Sequence, residues 1–187
     1  MGKSLFAVVI ILAALFCCGD AYGGYRAELT RASHNGRLFS FETWDAKLIW
    51  HATFFSDRFR QSYDEEYAGV NHMDEAEAAQ FFASEERRQA NGWDFFISFY
   101  TKKDYKKFST DSDTFWSIRL TTASGEVVKA TEIEAIPVSP YQLVMFRHLN
   151  RWSKAYRVTF PKVDLGDEFT VTIESVVGES SLKWKNK

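Results

Sequence analysis

The sequence predicts a mainly β fold with a helical insertion: an antiparallel β-sandwich that carries an α-helical hairpin after its first two strands. Three observations predict it. From Trp93 onward, apolar and polar residues alternate with a period of two, and turn residues interrupt them about every 10 positions. Over residues 45–90 the apolar spacing is helical instead. Near the front, Asn35-Gly36 is the strongest short hairpin signal, because both residues tolerate positive φ.

The elements follow in order. Tyr25 to His34 reads as a strand, with Tyr25, Ala27, Leu29 and Arg31 on one side. Asn35-Gly36 turns the chain, and Arg37 to Phe41 returns. Leu48, Ile49, Ala52, Phe55, Phe59 and Tyr63 then mark one face of a helix from Asp45 to Glu66, with Thr43 placed to cap it. A second helix is capped by Asn71, carries Asp74, Glu75 and Glu77 in its first turns and Arg87 and Arg88 in its last, and ends at Asn91-Gly92. Met73, Ala76, Ala79, Phe82 and Ala83 form its apolar side. The connection between the two helices is short, which makes them an antiparallel pair.

Trp93 to Tyr100 is apolar on both sides, so it belongs in the centre of a sheet with helices over its second face. Lys102 to Asp113 is a polar connection. Trp116, Ile118 and Leu120 alternate cleanly, Ser124-Gly125 turns, and Val127 to Ile136 runs back. Pro137 and Pro140 bracket a break, and Leu143 to Phe146 reads as a strand. Three more follow, around Tyr156–Phe160, Phe169–Ile173 and Ser181–Trp184. Residues 25–187 therefore form a single domain, a sandwich of immunoglobulin-like or similar kind, with the helical pair at about 45–90. A closed barrel is the alternative.

The first residues are of a different kind. One cation, Lys3, precedes an uncharged run from Leu5 to Phe16, and the chain turns polar at Gly19-Asp20. This is the layout of a secretory signal peptide, and the run is short of the roughly 20 residues that span a membrane. Leu15-Phe16-Cys17-Cys18 resembles the lipobox of bacterial lipoproteins, a Leu three residues before the modified Cys, although Cys17 stands where a smaller residue is usual. The resemblance implies a signal peptide over 1–18, lipidation at Cys18, a short tether over 19–24, and a membrane-anchored protein of the bacterial cell envelope facing the periplasm or exterior. Cleavage after Ala21, between small residues, is the alternative and releases a soluble secreted or periplasmic protein. An uncleaved anchor or an apolar N-terminal strand is the third. N-myristoylation is excluded, because Phe6 occupies the position that needs Ser or Thr.

Composition narrows the function. Both cysteines lie at 17 and 18, so the folded part has neither a disulfide nor a thiolate metal site. The formal net charge of −2 gives no argument for a nucleic-acid partner. Aromatic residues make up 17% of the chain, which suits a β-rich core or a surface on which glycans stack.

No catalytic residue, cofactor or metal site is assigned. His34, His51, His72 and His148 include no helical i, i+4 pair. There is no Gly-x-Ser-x-Gly elbow and no phosphate-binding glycine loop. Asp111 and Asp113 open like a calcium loop, but Phe115 and Trp116 stand where ligands belong. Asp164, Asp167 and Glu168 read as a solvated turn, and Asp64-Glu65-Glu66 as a charged helix end. The one stretch that suits binding is Tyr100, Lys102, Lys103, Tyr105, Lys106, Lys107 and Phe108, where charge and rings fit an anionic headgroup or an acidic glycan. Arg147, His148, Arg151, Lys154 and Arg157 form a second basic group around Asn150.

Three functions follow. The first is a non-enzymatic envelope lipoprotein that presents the sandwich to another envelope protein or to the cell wall. The second is a glycan- or lipid-headgroup-binding module, which requires several of Tyr100, Tyr105, Phe108, Trp44, Trp152 and Trp184 in one exposed patch. The third is a hydrolase, which requires a cleft where two or more of His51, His72, His148 and the acidic residues meet.

Overall fold

The computed structural model describes residues 24–40, 44–101, 108 and 114–186. The signal segment, Cys18, Lys102, Lys103, Tyr105, Lys106, Lys107, Asp111 and Asp113 lie outside the described residues. In chain order the elements are α1 (Gly24–Ala32), β1 (Ser33–Ser40), β2 (Asp45–Phe54), α2 (Asp57–Val70), α3 (Glu75–Asn91), β3 (Gly92–Thr101), β4 (Ser117–Thr121), β5 (Val127–Lys129), β6 (Glu132–Ile136), α4 (Pro140–Met145), β7 (Lys154–Pro161), β8 (Glu168–Ser175) and β9 (Gly178–Lys185).

The strands make two antiparallel sheets, ordered β1-β2-β3-β7-β6 and β5-β4-β8-β9. Their inner faces share one core. Leu48, Trp50, Ala52 and Phe54 of β2, Phe95, Ile97 and Phe99 of β3, and Tyr156, Val158 and Phe160 of β7 meet Ile118, Leu120, Phe169, Val171, Ile173 and Trp184 of the other sheet. Each buried ring contributes roughly 1.5–3 kcal/mol, so this alternation holds the sheets together. A second, smaller core lies on the outer face of the five-stranded sheet. There Phe96 of β3 packs with Tyr25 and Leu29 of α1, Phe55, Phe59 and Tyr63 on and before α2, and Met145, Phe146 and Leu149 after the β6 crossing. β3 is apolar on both sides because it has a core on each.

Several expected elements are corrected. Gly24–Ala32 is a helix, not a strand; its buried residues Tyr25, Glu28, Leu29 and Ala32 follow helical spacing, which so short a segment shares with a strand pattern. Asn35-Gly36 is not a turn. Both sit inside β1, opposite His51 and Trp50. Gly36 is needed for close approach: a Cβ there would lie 2.5 Å from Trp50 Nε1 and 2.8 Å from Ser180 Oγ, the pair whose hydrogen bond ties the two sheets. At the far end of the pair Ser40 lies opposite Asp45, and Trp44 has a positive φ of 49°.

The helix expected over 45–66 is two elements. Its first half is β2, where Leu48, Trp50, Ala52 and Phe54 are buried at period two. Ser56 then caps α2, and Phe59 and Tyr63 are buried at helical spacing. Asn71 closes α2 rather than opening α3: its Nδ2 donates to Tyr67 O at 2.8 Å. Asp74 caps α3 in a reciprocal pair with Glu77. The expected apolar side of α3 faces outward. Phe82 is exposed, Phe81 stacks on Tyr67, and the residue buried most deeply is Glu85.

Leu143, Val144 and Met145 are helical, not a strand, since Pro140 suits a first helical turn behind Ser139, and Phe146 is the extended residue that ends the helix. The run from Val127 to Ile136 breaks into β5 and β6, which pair in different sheets with β4 and β7.

Candidate functional site

The outer face of β2, β3 and β7 carries the residues with chemistry, in two neighbouring regions. The first is closed. Arg60 of α2, Glu85 of α3, Asp94 of β3 and Arg157 of β7 form a buried four-membered ion cluster. Arg60 donates to Glu85 Oε2 at 2.7 Å and to Asp94 Oδ2 at 2.9 Å. Arg157 donates to both Glu85 oxygens at 3.1 and 2.7 Å and to Asp94 Oδ2 at 3.1 Å. Thr159 Oγ1 donates to Asp94 Oδ1 at 2.8 Å. The ring of Phe55 lies under both guanidiniums, at 5.2 and 4.6 Å.

Burial opposes the charge on Asp94, but Arg157, Arg60 and Thr159 outweigh it and hold its carboxyl below the usual range. Burial also opposes the charge on Arg157, and Glu85 and Asp94 outweigh it in turn. Every carboxylate oxygen of the cluster has a donor, so none is left to act as a base or to bind a cation. Its work is to dock α2 and α3 onto the sheet. Beside it, between α2 and α3, Asp64 lines a hollow of about 340 Å³ with Glu65 and Glu86. Burial, then Glu85, pushes the Asp64 carboxyl up to about 7.

The second region is open. Register pairs His51 with Ser98 and Ile49 with Tyr100, so these four side chains share one patch of the β2–β3 face. The chain between α4 and β7 lays His148 over it. The rings of His51 and His148 stack at 4.8 Å and 15°. Phe146, stacked on Phe96 at 3.7 Å, anchors that chain. Asn150 Oδ1 then accepts the N–H groups of Trp152 and Ser153, a turn that projects Trp152 outward with Arg151 over its ring. The result is a groove of about 470 Å³. Trp152 is 73% exposed, Tyr100 45% and Ile49 40%, whereas Ser98, at the groove's base, is 1% exposed.

Two polar atoms in this groove have no hydrogen-bond partner, Ser98 Oγ and His148 Nε2. Burial, then His51, pushes the His148 imidazole down to about 4, and burial lowers His51 as well. Both rings are neutral near pH 7. Among the described residues, no carboxylate lines the groove.

The sequence-derived candidates divide accordingly. Tyr100 is on the groove's rim, and the lysine-rich stretch begins two residues after it. Phe108 is not a surface ring: it is buried in the sandwich core against Phe99 and Tyr156. Trp184 is buried too, its Nε1 donating to Ala32 O. Trp44 is exposed but lies outside the groove. The basic group around Asn150 is dispersed, with Arg157 in the ion cluster and His148 in the groove. His34 packs on Trp184, and His72 occupies the α2–α3 turn with a positive φ. Sequence reasoning missed Ser98, whose only signal was a hydroxyl between Ile97 and Phe99 in an apolar strand.

Among the described residues, no group of three or more His, Cys, Asp or Glu side chains is placed to hold a metal ion, and no helix is long and apolar enough to cross a membrane. The chain matches no protein-family model, no curated protein and no solved structure.

Proposed function

We propose that this protein is a non-enzymatic binding module of the bacterial cell envelope, anchored by lipidation at Cys18, that holds its ligand in the groove between β2, β3 and the chain leading into β7. The observation that carries this reading is the gathering of Tyr100, Trp152 and Ile49, all exposed, around one concave site. Isolated exposed apolar residues are ordinary, but a concave cluster with polar groups at its base is the usual form of a ligand site. The sandwich, in this reading of immunoglobulin-like type, is the rigid support. In sequence a lysine-rich stretch follows Tyr100, and its composition suits a glycan or a lipid headgroup. Presentation to another envelope protein is the wider form of the same proposal.

Tryptophan fluorescence tests it, because Trp152 is solvated in the free protein. Oligosaccharides and anionic vesicles are titrated into the wild type and into Trp152→Phe. An emission shift that saturates in the wild type and vanishes in the variant supports the groove. A shift that persists in Trp152→Phe, or none with any probe, removes this reading. In parallel, the intact mass of the membrane-derived protein, with Cys18→Ala as control, decides the anchor.

The hydrolase reading draws on the meeting of His51 and His148 in one cleft. It lacks a carboxylate to orient either imidazole, and both carboxylates of the neighbouring ion cluster are committed to arginines. The binding reading needs neither.

A further inference from the structure

We propose that the groove's ligand is an uncharged, hydroxyl-rich ring, a saccharide unit, stacked on Trp152 and Tyr100 and hydrogen-bonded to Ser98 Oγ and His148 Nε2. The inference rests on the groove being the binding site, and adds the chemistry of what enters it.

Three observations lead there. The first concerns charge. Ile49, His51, Ser98, Tyr100, His148 and Trp152 bring neither a carboxylate nor a permanent cation into the groove, and the Arg151 guanidinium lies over the Trp152 ring at 5.6 Å. The two imidazoles stack at 4.8 Å, a spacing at which two cations would repel, and burial keeps both neutral. An anion entering here gains no fixed counter-charge from the described lining residues and loses its hydration, whereas a neutral ligand bears no such penalty.

The second observation is the pair of polar atoms without a partner. Buried polar groups in proteins are nearly always hydrogen-bonded, and each exception calls for a reason. In the ion cluster, on the same face of the same strands, every carboxylate oxygen is matched, and the unmatched atoms are the Nε groups of Arg60 and Arg157, neither of which lines the groove with Ser98 and His148. In the groove, Ser98 Oγ and His148 Nε2 are both unmatched, both buried in the free protein and both on lining residues, so a ligand reaches them only as the lining side chains part. A serine hydroxyl donates and accepts. A neutral imidazole nitrogen does one or the other according to its tautomer. A ligand hydroxyl also donates and accepts, so neighbouring sugar hydroxyls satisfy both atoms whichever tautomer is present.

The third observation is the wall. Trp152 and Tyr100 present rings to solvent beside these atoms, and Ile49 adds an apolar edge. A sugar ring has apolar C–H faces and a polar equator. It suits a site with aromatic surface on its sides and hydrogen-bonding groups at its base.

The test uses the full-length protein and isothermal titration with four probes: maltotetraose, N-acetylglucosamine tetraose, inorganic phosphate and phosphatidylglycerol vesicles. The expected result is saturable binding of at least one neutral oligosaccharide. Trp152→Ala weakens it about tenfold or more, and Ser98→Ala about 5- to 20-fold. Ser98→Ala carries a second readout. Because its hydroxyl has no partner in the free protein, the thermal midpoint of the free variant should hold or rise while affinity falls. A hydroxyl with a merely structural role gives the opposite, a lower midpoint with unchanged affinity, and overturns the assignment. Binding of phosphate or vesicles, but of neither sugar, that is lost in Trp152→Ala leaves the groove as a site and overturns the saccharide. Sugar binding unaffected by both substitutions places the ligand elsewhere and overturns it too. No binding of any probe removes both this inference and the reading beneath it.

Discussion

The outer face of the five-stranded sheet has two regions built on the same strands with opposite outcomes. Around Asp94, Arg157 and Thr159, α2 and α3 bring Arg60 and Glu85, and every carboxylate oxygen finds a donor, although the Nε atoms of Arg60 and Arg157 do not find an acceptor. Around His51, Ser98 and Tyr100, the chain before β7 brings His148 and Trp152 but leaves two polar atoms unmatched and three apolar side chains in solvent. The difference separates carboxylates that arginines and a threonine match completely from a hydroxyl and an imidazole nitrogen that no protein group matches. Burial alone does not distinguish them, because Asp94 and Ser98 are both 1% exposed. The count of partners does.

Removing one member of the closed region should have the largest effect. Glu85→Ala leaves Arg60 and Arg157 buried with Asp94 alone, and should destabilise the fold by about 3–5 kcal/mol in urea unfolding. A loss under about 1 kcal/mol would mean the cluster is solvated like a surface pair and would erase the contrast.

The two regions should also respond to pH in opposite directions. In the groove, His148 titrates at about 4 when folded, below the roughly 6.5 of an unfolded imidazole. Between those values the unfolded chain binds the proton and the folded one does not. The contribution of His148 is therefore complete above about 6.5 and is lost as pH falls toward 4, by up to about 3 kcal/mol. Unfolding midpoints of the wild type and His148→Gln, measured from pH 7.5 to 4, should converge on acidification. Parallel curves would show that His148 is solvated.

Beside the ion cluster the sign reverses, and the effect is smallest. Asp64 is raised to about 7, above its unfolded value, so its contribution is complete near pH 4 and is lost as pH rises through 7. Asp64→Asn should stabilise the protein at pH 8 by about 1 kcal/mol, since partial solvation blunts the effect, and should be neutral at pH 4. Equal effects at both pH values would exclude a titrating Asp64.

The groove was only partly legible in the chain. Tyr100 was singled out beside the lysine-rich stretch, and Trp152 was named among the rings that a binding surface would need. His51 and His148 were named only as separate histidines, because nothing local says that a residue of β2 and one after α4 will stack. Ser98 gave no functional signal, since a lone serine in an apolar strand is common. Phe108 misled because its lysine neighbours suggested a surface, whereas its ring fills the core beneath Phe99.

By itself the sequence determined the mainly β character and most strands from Trp93 to the end, except that Leu143–Met145 is helical and the run from Val127 to Ile136 is two strands. Alternation is a local property, and burying one side of each strand leaves little choice of register. The helical signal at Phe59 and Tyr63 was sound for the same reason. Tertiary structure decided the rest. It turned Asn35-Gly36 from a hairpin into a strand, because Trp50 needs the space of a missing Cβ to reach Ser180. It rotated α3 so that Glu85, not Phe82, faces inward, because two arginines on other elements, one of them 72 residues away, wait for a carboxylate there. It also joined His51, Ser98 and His148 in one groove. In each case the deciding partner is distant in sequence, and a pattern read along the chain carries no information about it.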